Sequence, residues 1–322
     1  MGEREVTAMA SGSPIRSSGS KAREIRKAVI PAAGLGTRML PFTKAVPKEM
    51  LPICNRPSIQ YAVDEAIQSG IEEIVLVVSP QRDTLRDYFR RDVALERTLQ
   101  QMGRRQDAEL LSSLSGGVEI TIVHQSIPLG LGHAVACAKD AVDGEPFAVL
   151  LPDALILGDT PCIRQMIAAY KILPASCIAA REVKTEELNR FGILDLQSSQ
   201  ASAGAKPPWR VRGVVEKPSP KRAPSRIGIF GRYLLEPEIF AFLDQVRPDS
   251  RGEIQLTRAL AGYCRLHPLY AVPFSGEHFD IGSRIGYLQA TIRTALGDPA
   301  AGKELRVFLE AALSAGEFCN RA

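Results

Sequence analysis

The chain has 322 residues and 45% hydrophobic content, ample for one large α/β domain or two smaller ones. Its 40 basic and 36 acidic residues leave a formal charge of +4, too mild to argue for nucleic acid, and no apolar run reaches the ~18 residues that span a bilayer. Six cysteines lie far apart without a Cys-x-x-Cys pair, which argues against a zinc site or a disulfide framework; with no long apolar core at the N-terminus, the expectation is reduced thiols in the cytoplasm.

Residues 1–25 are rich in Ser, Gly, Arg and Lys without apolar periodicity and read as a flexible tail; its basic residues Arg16, Lys21 and Arg23, with Arg26 just after it, are expected to be solvated in preference to meeting an acidic partner. A buried strand follows at Ala28–Ile30. Behind it, Gly34 and Gly36 let backbone N–H groups approach an anion where a Cβ would intrude, and Arg38, Lys44 and Lys48 supply charge. Neither a dinucleotide turn, which wants glycine where Met39 stands, nor a P-loop fits this segment. Asn55 is placed to cap a helix with Pro57 in its first turn and Gly70 as its stop. Then come a strand at Ile74–Val78, a helical excursion over 84–114 and a strand at Glu119–Gln125. The order continues with a helix at His133–Val142, a strand at Phe147–Leu151, a helix at Pro161–Leu173 and a strand at Cys177–Val183. Gly204–Trp209 reads as a loop before a strand at Val211–Glu216; Glu236–Arg265 is helical, and Lys303–Ala315 is a closing amphipathic helix. Repeated βαβ order implies an α/β fold: a Rossmann-like mixed, mostly parallel sheet flanked by helices, with ligands at strand carboxyl ends, where the glycine loop and Asp153 fall.

The segment Gly34-Leu-Gly-Thr-Arg38 followed by Pro47-Lys48-Glu-Met-Leu-Pro52 resembles the signature of the sugar-1-phosphate nucleotidyltransferases, and its Lys-Glu-Met-Leu-Pro form resembles the bacterial UTP:glucose-1-phosphate uridylyltransferases among them. Agreement continues in family order through Gly130-Leu-Gly132-His133, Leu151-Pro-Asp153, Phe191-Gly192, Val215-Glu-Lys-Pro218, Gly231-Arg-Tyr233, Glu253-Ile-Gln-Leu-Thr257 and Phe279-Asp-Ile-Gly282, over roughly residues 26–297. The resemblance implies a catalytic domain over 26–298, a C-terminal helix in 299–322, and UMP transfer from UTP to glucose 1-phosphate, giving UDP-glucose and pyrophosphate. It implies Mg²⁺ on Asp153 and Asp280, and a homo-oligomer, dimer or tetramer, in the cytoplasm without nucleic acid or membrane.

Such a transfer needs no general base, because a phosphomonoester has lost its second proton above pH ~6. The protein must hold two repelling anions together and neutralise growing charge, work for cations and a metal. By resemblance, Arg38 grips the β- and γ-phosphates, Lys48 bridges the α-phosphate region, and Lys217 takes the sugar phosphate; these three and Asp153 form the catalytic set. The nucleotide falls to Ala32, Ala33, Gly34, Gly36, Thr37, Glu49, Gln125 and Gly130, with the Gln125 amide suited to the imide edge of uracil. Gly192, Glu216 and Lys217 are placed for the sugar. Adjacent strand side chains face opposite ways, so a local twist before Pro218 must let Glu216 and Lys217 reach one ligand.

Four positions depart from the pattern: His124, Leu129, Ala154 and Arg258 stand where relatives often carry Arg, Lys, a second acid and an acid. Competing readings are a thymidylyl- or cytidylyltransferase for a hexose 1-phosphate, and a non-catalytic paralogue that binds sugar nucleotide. Against the last, Arg38, Lys48, Asp153, Lys217 and Asp280 are all present.

Overall fold

The computed structural model describes residues 23–80, 83–197 and 207–314. Most of the expected tail, part of the 204–209 loop and the end of the closing helix lie outside the described residues. Ile25, assigned to the tail, is buried in the core.

Strand β1 (Lys27–Ala32) is buried along nearly its whole length, as a central parallel strand should be. A hairpin of β2 (Pro52–Ile53) and β3 (Arg56–Pro57) leads into α1 (Ser58–Gln68). Asn55 is therefore not the expected helix cap: it sits in the hairpin turn, and Pro57 holds the N-cap position in extended backbone. The Ser58 hydroxyl instead donates to the Glu49 carbonyl at 3.0 Å, tying α1 to the cationic segment before it.

After β4 (Glu73–Val78), the excursion resolves into α2 (Thr84–Phe89), α3 (Val93–Gln101) and α4 (Arg105–Ser112), then β5 (Glu119–His124). The helix expected at 133–142 starts earlier and is divided into α5 (Leu131–Cys137) and α6 (Lys139–Val142). Its early start follows from Gly130, whose φ of 90° turns the chain where a side chain would be strained.

Next come β6 (Phe147–Leu150), β7 (Ala154–Leu157), α7 (Cys162–Ile172), β8 (Ser176–Glu182), β9 (Gly192–Leu196), β10 (Trp209–Glu216) and β11 (Ile227–Leu235). The region read as helical from 236 to 265 holds only α8 (Ile239–Leu243) and α9 (Leu256–Leu266). Between them the Asp249 carboxylate accepts the N–H groups of Arg251 and Glu253 at 2.8 and 3.1 Å, a side-chain-built turn that competes with helix. The chain closes with β12 (Leu269–Pro273), β13 (Glu277–Asp280), α10 (Arg284–Leu296) and α11 (Gly302–Ser314).

Among the described residues, nine strands form one sheet in the order β5-β4-β1-β6-β11-β8-β12-β10-β9. The β5-β4-β1-β6 half is parallel, as expected; beyond it antiparallel pairs enter through β11, and β9 pairs with β11 as well as β10. Alternation along the strands divides the core. Ile30 and Leu76 pack with α1 and α7 on one face, while Val29 and Val77 pack with α5, α8 and α9 on the other.

Candidate active site

Three adjoining cavities of 400, 380 and 320 Å³ meet at Leu151, which lines all of them. The first is walled by the glycine loop: Ala33, Gly34, Gly36 and Thr37 line it together with Lys48, Glu49, Gln125, Gly130 and Asp153. Ala32 is the exception among the residues assigned to the nucleotide, because its side chain packs into the core behind β1. Lys44 ends its short turn exposed and lines none of the three cavities.

The loop is folded tightly against its own cations. Gly36 has φ 67°, and a Cβ there would lie 3.0 Å from the Thr43 methyl and 3.2 Å from Lys48 Cβ. The Thr43 hydroxyl closes the turn by donating to the Gly36 carbonyl at 2.8 Å. This delivers Lys48 to Asp153, with Nζ 2.5 Å from Oδ2 and 3.7 Å from Glu49 Oε1. Burial favours the neutral amine, but Asp153 and then Glu49 outweigh it and hold Lys48 above its ordinary value. The same balance, burial opposed by Lys48 and then Arg38, keeps Asp153 below the usual carboxylate range.

Asp153 and Asp280, 127 positions apart in sequence, stand at the same end of the small β7–β13 ladder. Asp280 is in register with Ala154, and the Ile281 N–H donates to the Asp153 carbonyl at 3.0 Å. Both line the 380 Å³ cavity with Arg38, Arg190, Lys217 and His278. Arg38 Nη1 lies 3.3 Å from Asp280 Oδ2, and a Cβ at Gly282 would come within 2.6 Å of Arg38 Nη2, so that glycine leaves the guanidinium its path. His278, enclosed by Phe191 and Phe230, is pushed by burial, then by Arg232, down to about 4 and is neutral at pH 7.

The 320 Å³ cavity brings together Gly130, Gly192, Glu216 and Lys217. The expected twist is present: β10 ends at Glu216, and Lys217 takes a left-handed φ of 42°, which returns its amine to 3.5 Å from Glu216 Oε1. The Thr257 hydroxyl donates to Glu216 Oε2 at 3.0 Å, a fixing contact that local sequence gave no sign of. A Cβ at Gly192 would lie 3.1 Å from Ile229 and Thr257 side-chain atoms, so any side chain there would have to displace them slightly.

Gln125 is buried, and its NH₂ donates to the Gly130 carbonyl at 3.1 Å and to His133 Nδ1 at 2.9 Å. The amide thus presents its carbonyl oxygen, the acceptor half of the donor-and-acceptor pair expected from sequence. Gly130-Leu-Gly132 in turn docks on Glu253-Ile-Gln255: Gly132 N–H donates to Ile254 O at 2.8 Å, and a Cβ at Gly132 would lie 2.7 Å from that oxygen. Of the departures, Arg258 caps the Arg247 carbonyl at 3.3 Å, and the Ala154 methyl lies 2.9 Å from a Cβ placed at Gly231.

A larger opening of 1020 Å³ lies elsewhere, between the β2–β3 hairpin and α10, and contains none of the residues assigned to nucleotide, sugar or metal from sequence. Its Arg293 is paired with Glu277 at 2.8 Å. Among the described residues no group of three or more His, Cys, Asp or Glu side chains is arranged to hold a metal. The Asp153–Asp280 pair has the donor chemistry that would suit a hard cation taking its remaining oxygens from substrate phosphates.

Residues 27–295 match the family described as Nucleotidyl transferase. The UTP–glucose-1-phosphate uridylyltransferase of Bacillus subtilis (strain 168) is 39% identical over 295 residues, covering 92% of this chain and 99% of that protein. A UTP-bound UGPase from Acinetobacter baumannii superposes with a TM-score of 0.79 at 37% identity, over 89% of this chain and 99% of that one. A UDP-glucose pyrophosphorylase complexed with UDP-glucose gives 0.77 at 34% identity, over 85% and 100%. With these motifs gathered around three adjoining cavities, the chain belongs to the nucleotidyl transferase family.

Proposed function

We propose that this protein transfers UMP from UTP to glucose 1-phosphate. A phosphate oxygen of the sugar attacks the α-phosphorus; the bond from that phosphorus to the β-phosphate oxygen breaks, and pyrophosphate leaves opposite the attack. The supporting observation is the junction at Asp153, where the glycine-loop cavity opens into the cavity of Arg38, Lys217 and Asp280. The relatives carry the choice of UTP and glucose 1-phosphate.

In this reading the glycine-loop N–H groups and Arg38 hold the β- and γ-phosphates, while Lys48 neutralises the α-phosphate as it becomes five-coordinate. Lys217 binds the acceptor phosphate. Glu216, oriented by Thr257, accepts hydrogen bonds from sugar hydroxyls. The Gln125 carbonyl accepts from uracil N3–H, and its committed NH₂ keeps Gly130 beside the base. Asp153 and Asp280 are the residues we assign to Mg²⁺, whose bound form supplies charge neutralisation for the phosphates. All these groups act by position and charge, since the nucleophile arrives already ionised.

A second proposal concerns assembly. Ile285, Leu288 and Ile292 on α10 and Val307 and Phe308 on the adjoining α11 are exposed, and we assign this face to association of copies, testable by light scattering.

The deciding experiment measures pyrophosphate release from UTP, dTTP, CTP and dCTP with several hexose 1-phosphates. UTP with glucose 1-phosphate should be the fastest pair. A faster reaction with dTTP or a cytidine nucleotide supports the corresponding alternative, and no release from any pair supports the non-catalytic binder.

A further inference from the structure

Arg190 ends the short turn over Thr185–Arg190, with Phe191 alone between it and Gly192, the first residue of β9. Its side chain is 47% exposed, with Nη1 3.3 Å from Glu187 Oε1 and Nη2 3.5 Å from Asp280 Oδ2. Arg38 reaches that same Asp280 oxygen from the glycine loop, so one carboxylate oxygen holds two guanidinium groups from opposite walls.

The two cavities on either side of Arg190 differ in chemistry. One carries the carboxylates Asp153 and Asp280; the other carries Gly192, Glu216 and Thr257. Of the residues that line both, only Arg190 and Lys217 are charged. A sugar phosphate with its ring in the second cavity and its reacting oxygen near Asp153 must put its phosphorus at that shared boundary. A dianion there is matched by two cations rather than one, and a lysine and an arginine do different work on it: a mobile point charge and a planar fork.

We propose that Arg190 is a second binding residue for the acceptor phosphate, sharing it with Lys217. This rests on the reading of the acceptor as a hexose 1-phosphate. Before the acceptor arrives, the guanidinium is parked on Asp280 and Glu187. Both are exposed-side ion pairs of little net worth, so exchanging them for a phosphate is cheap. The exchange also removes one of the two cations from Asp280. Arg190 therefore discriminates an acceptor that carries a phosphate from the bare sugar, while Glu216 and Gly192 act on the ring.

The test uses the full-length protein and its Arg190→Ala, Arg190→Gln and Arg190→Lys variants, checked for unchanged thermal midpoints. Calorimetry reads α-D-glucose 1-phosphate, glucose and UTP separately, and steady-state rates are taken at saturating Mg²⁺. Arg190→Ala and Arg190→Gln should weaken glucose 1-phosphate about tenfold or more and raise its KM accordingly, leave UTP unchanged, and lose the preference over glucose. Arg190→Lys should recover part of the loss. If the parent turns over both substrates and the variants keep its affinity for glucose 1-phosphate but need more Mg²⁺, Arg190 is only a partner of Asp280 and the proposal is overturned. Should the parent neither bind glucose 1-phosphate nor release pyrophosphate with it, the proposed function falls, and this assignment with it.

Discussion

The guanidinium of Arg232 lies along the carboxylate of Glu65, with Nε 3.0 Å and Nη2 2.8 Å from Oε2, and both side chains are almost fully buried. Arg232 Nη1 also donates to the Leu151 carbonyl at 3.0 Å, and Glu65 Oε1 accepts the Ile163 N–H at 3.1 Å. One ion pair thus pins α1, α7 and β11 to the turn that carries Asp153. Glu65→Ala leaves a buried cation without its counter-charge and should destabilise the fold by about 3–5 kcal/mol. Denaturant unfolding measures this, and a loss under about 1 kcal/mol would show that water replaces the carboxylate without strain.

At Lys217 the amine and the backbone are separable. Lys217→Ala and Lys217→Gly both remove the amine, but glycine accepts the left-handed φ more readily. Each should lower kcat/KM for glucose 1-phosphate by the worth of a charge-assisted contact, about 1.5–3 kcal/mol. A glycine variant that keeps parental activity would mean that the chain reversal, and not the ammonium, is what the site needs.

Gln125→Ala removes an acceptor from the base pocket and releases Gly130 and His133. Affinity for UTP should fall about tenfold while glucose 1-phosphate is much less affected, and discrimination between UTP and CTP should shrink. His133→Ala should produce a milder version of the same pattern. Equal losses for both substrates would place Gln125 in loop folding alone.

Asp153→Asn and Asp280→Asn each remove one charged oxygen donor from the pair assigned to Mg²⁺. Each should raise the metal concentration needed for half-maximal rate, chelation should abolish parental activity, and the double variant should lose little beyond either single one. Fully multiplicative losses with an unchanged metal requirement would separate the two carboxylates.

Asp249 is held at about 2 by backbone N–H groups, first that of Glu253 and then that of Arg251. A carboxyl whose folded pKa is depressed stabilises the fold above its unfolded value, about 3.8 here, and loses that contribution as pH falls through the folded value. Between pH 4 and pH 2 the parent should therefore lose stability more steeply than Asp249→Asn, which has no such group to protonate. Thermal midpoints across that window give the comparison, and identical slopes would remove Asp249 from the acid response.

How much of this was readable from sequence depends on how local each cause is. The parallel half of the sheet follows from apolar runs between helical stretches, and β1, β4 and β6 lie where those runs are. The antiparallel half went unread although its punctuation is there: Pro268 stands before β12, Ser275-Gly276 between β12 and β13, Gly282-Ser283 before α10, and Pro248 and Gly252 flank the turn that Asp249 builds between α8 and α9. Asn55 failed as a cap because pairing between Pro52-Ile53 and Arg56-Pro57 claimed it for a hairpin. Within the site, ordered motifs identified Arg38, Lys48, Asp153, Lys217 and Asp280, but not their pairings. Thr257 on Glu216 and Arg190 on Asp280 join residues 41 and 90 positions apart, and nothing in their immediate neighbourhoods announces the contact.

The strand β9 does more than carry Gly192. Because it pairs with β10 and also touches β11 at Gly228, the β9 border of the sheet is folded back onto its own interior. Among the described residues, β5 is then the open border of the nine-stranded sheet. As a template for a foreign strand β5 is poor: it is six residues long and begins at Glu119, with Thr121 and His124 exposed. The contact of Ile193 with Gly228 that brings Gly192 to the acceptor cavity thus also leaves the less inviting strand at the sheet's open border.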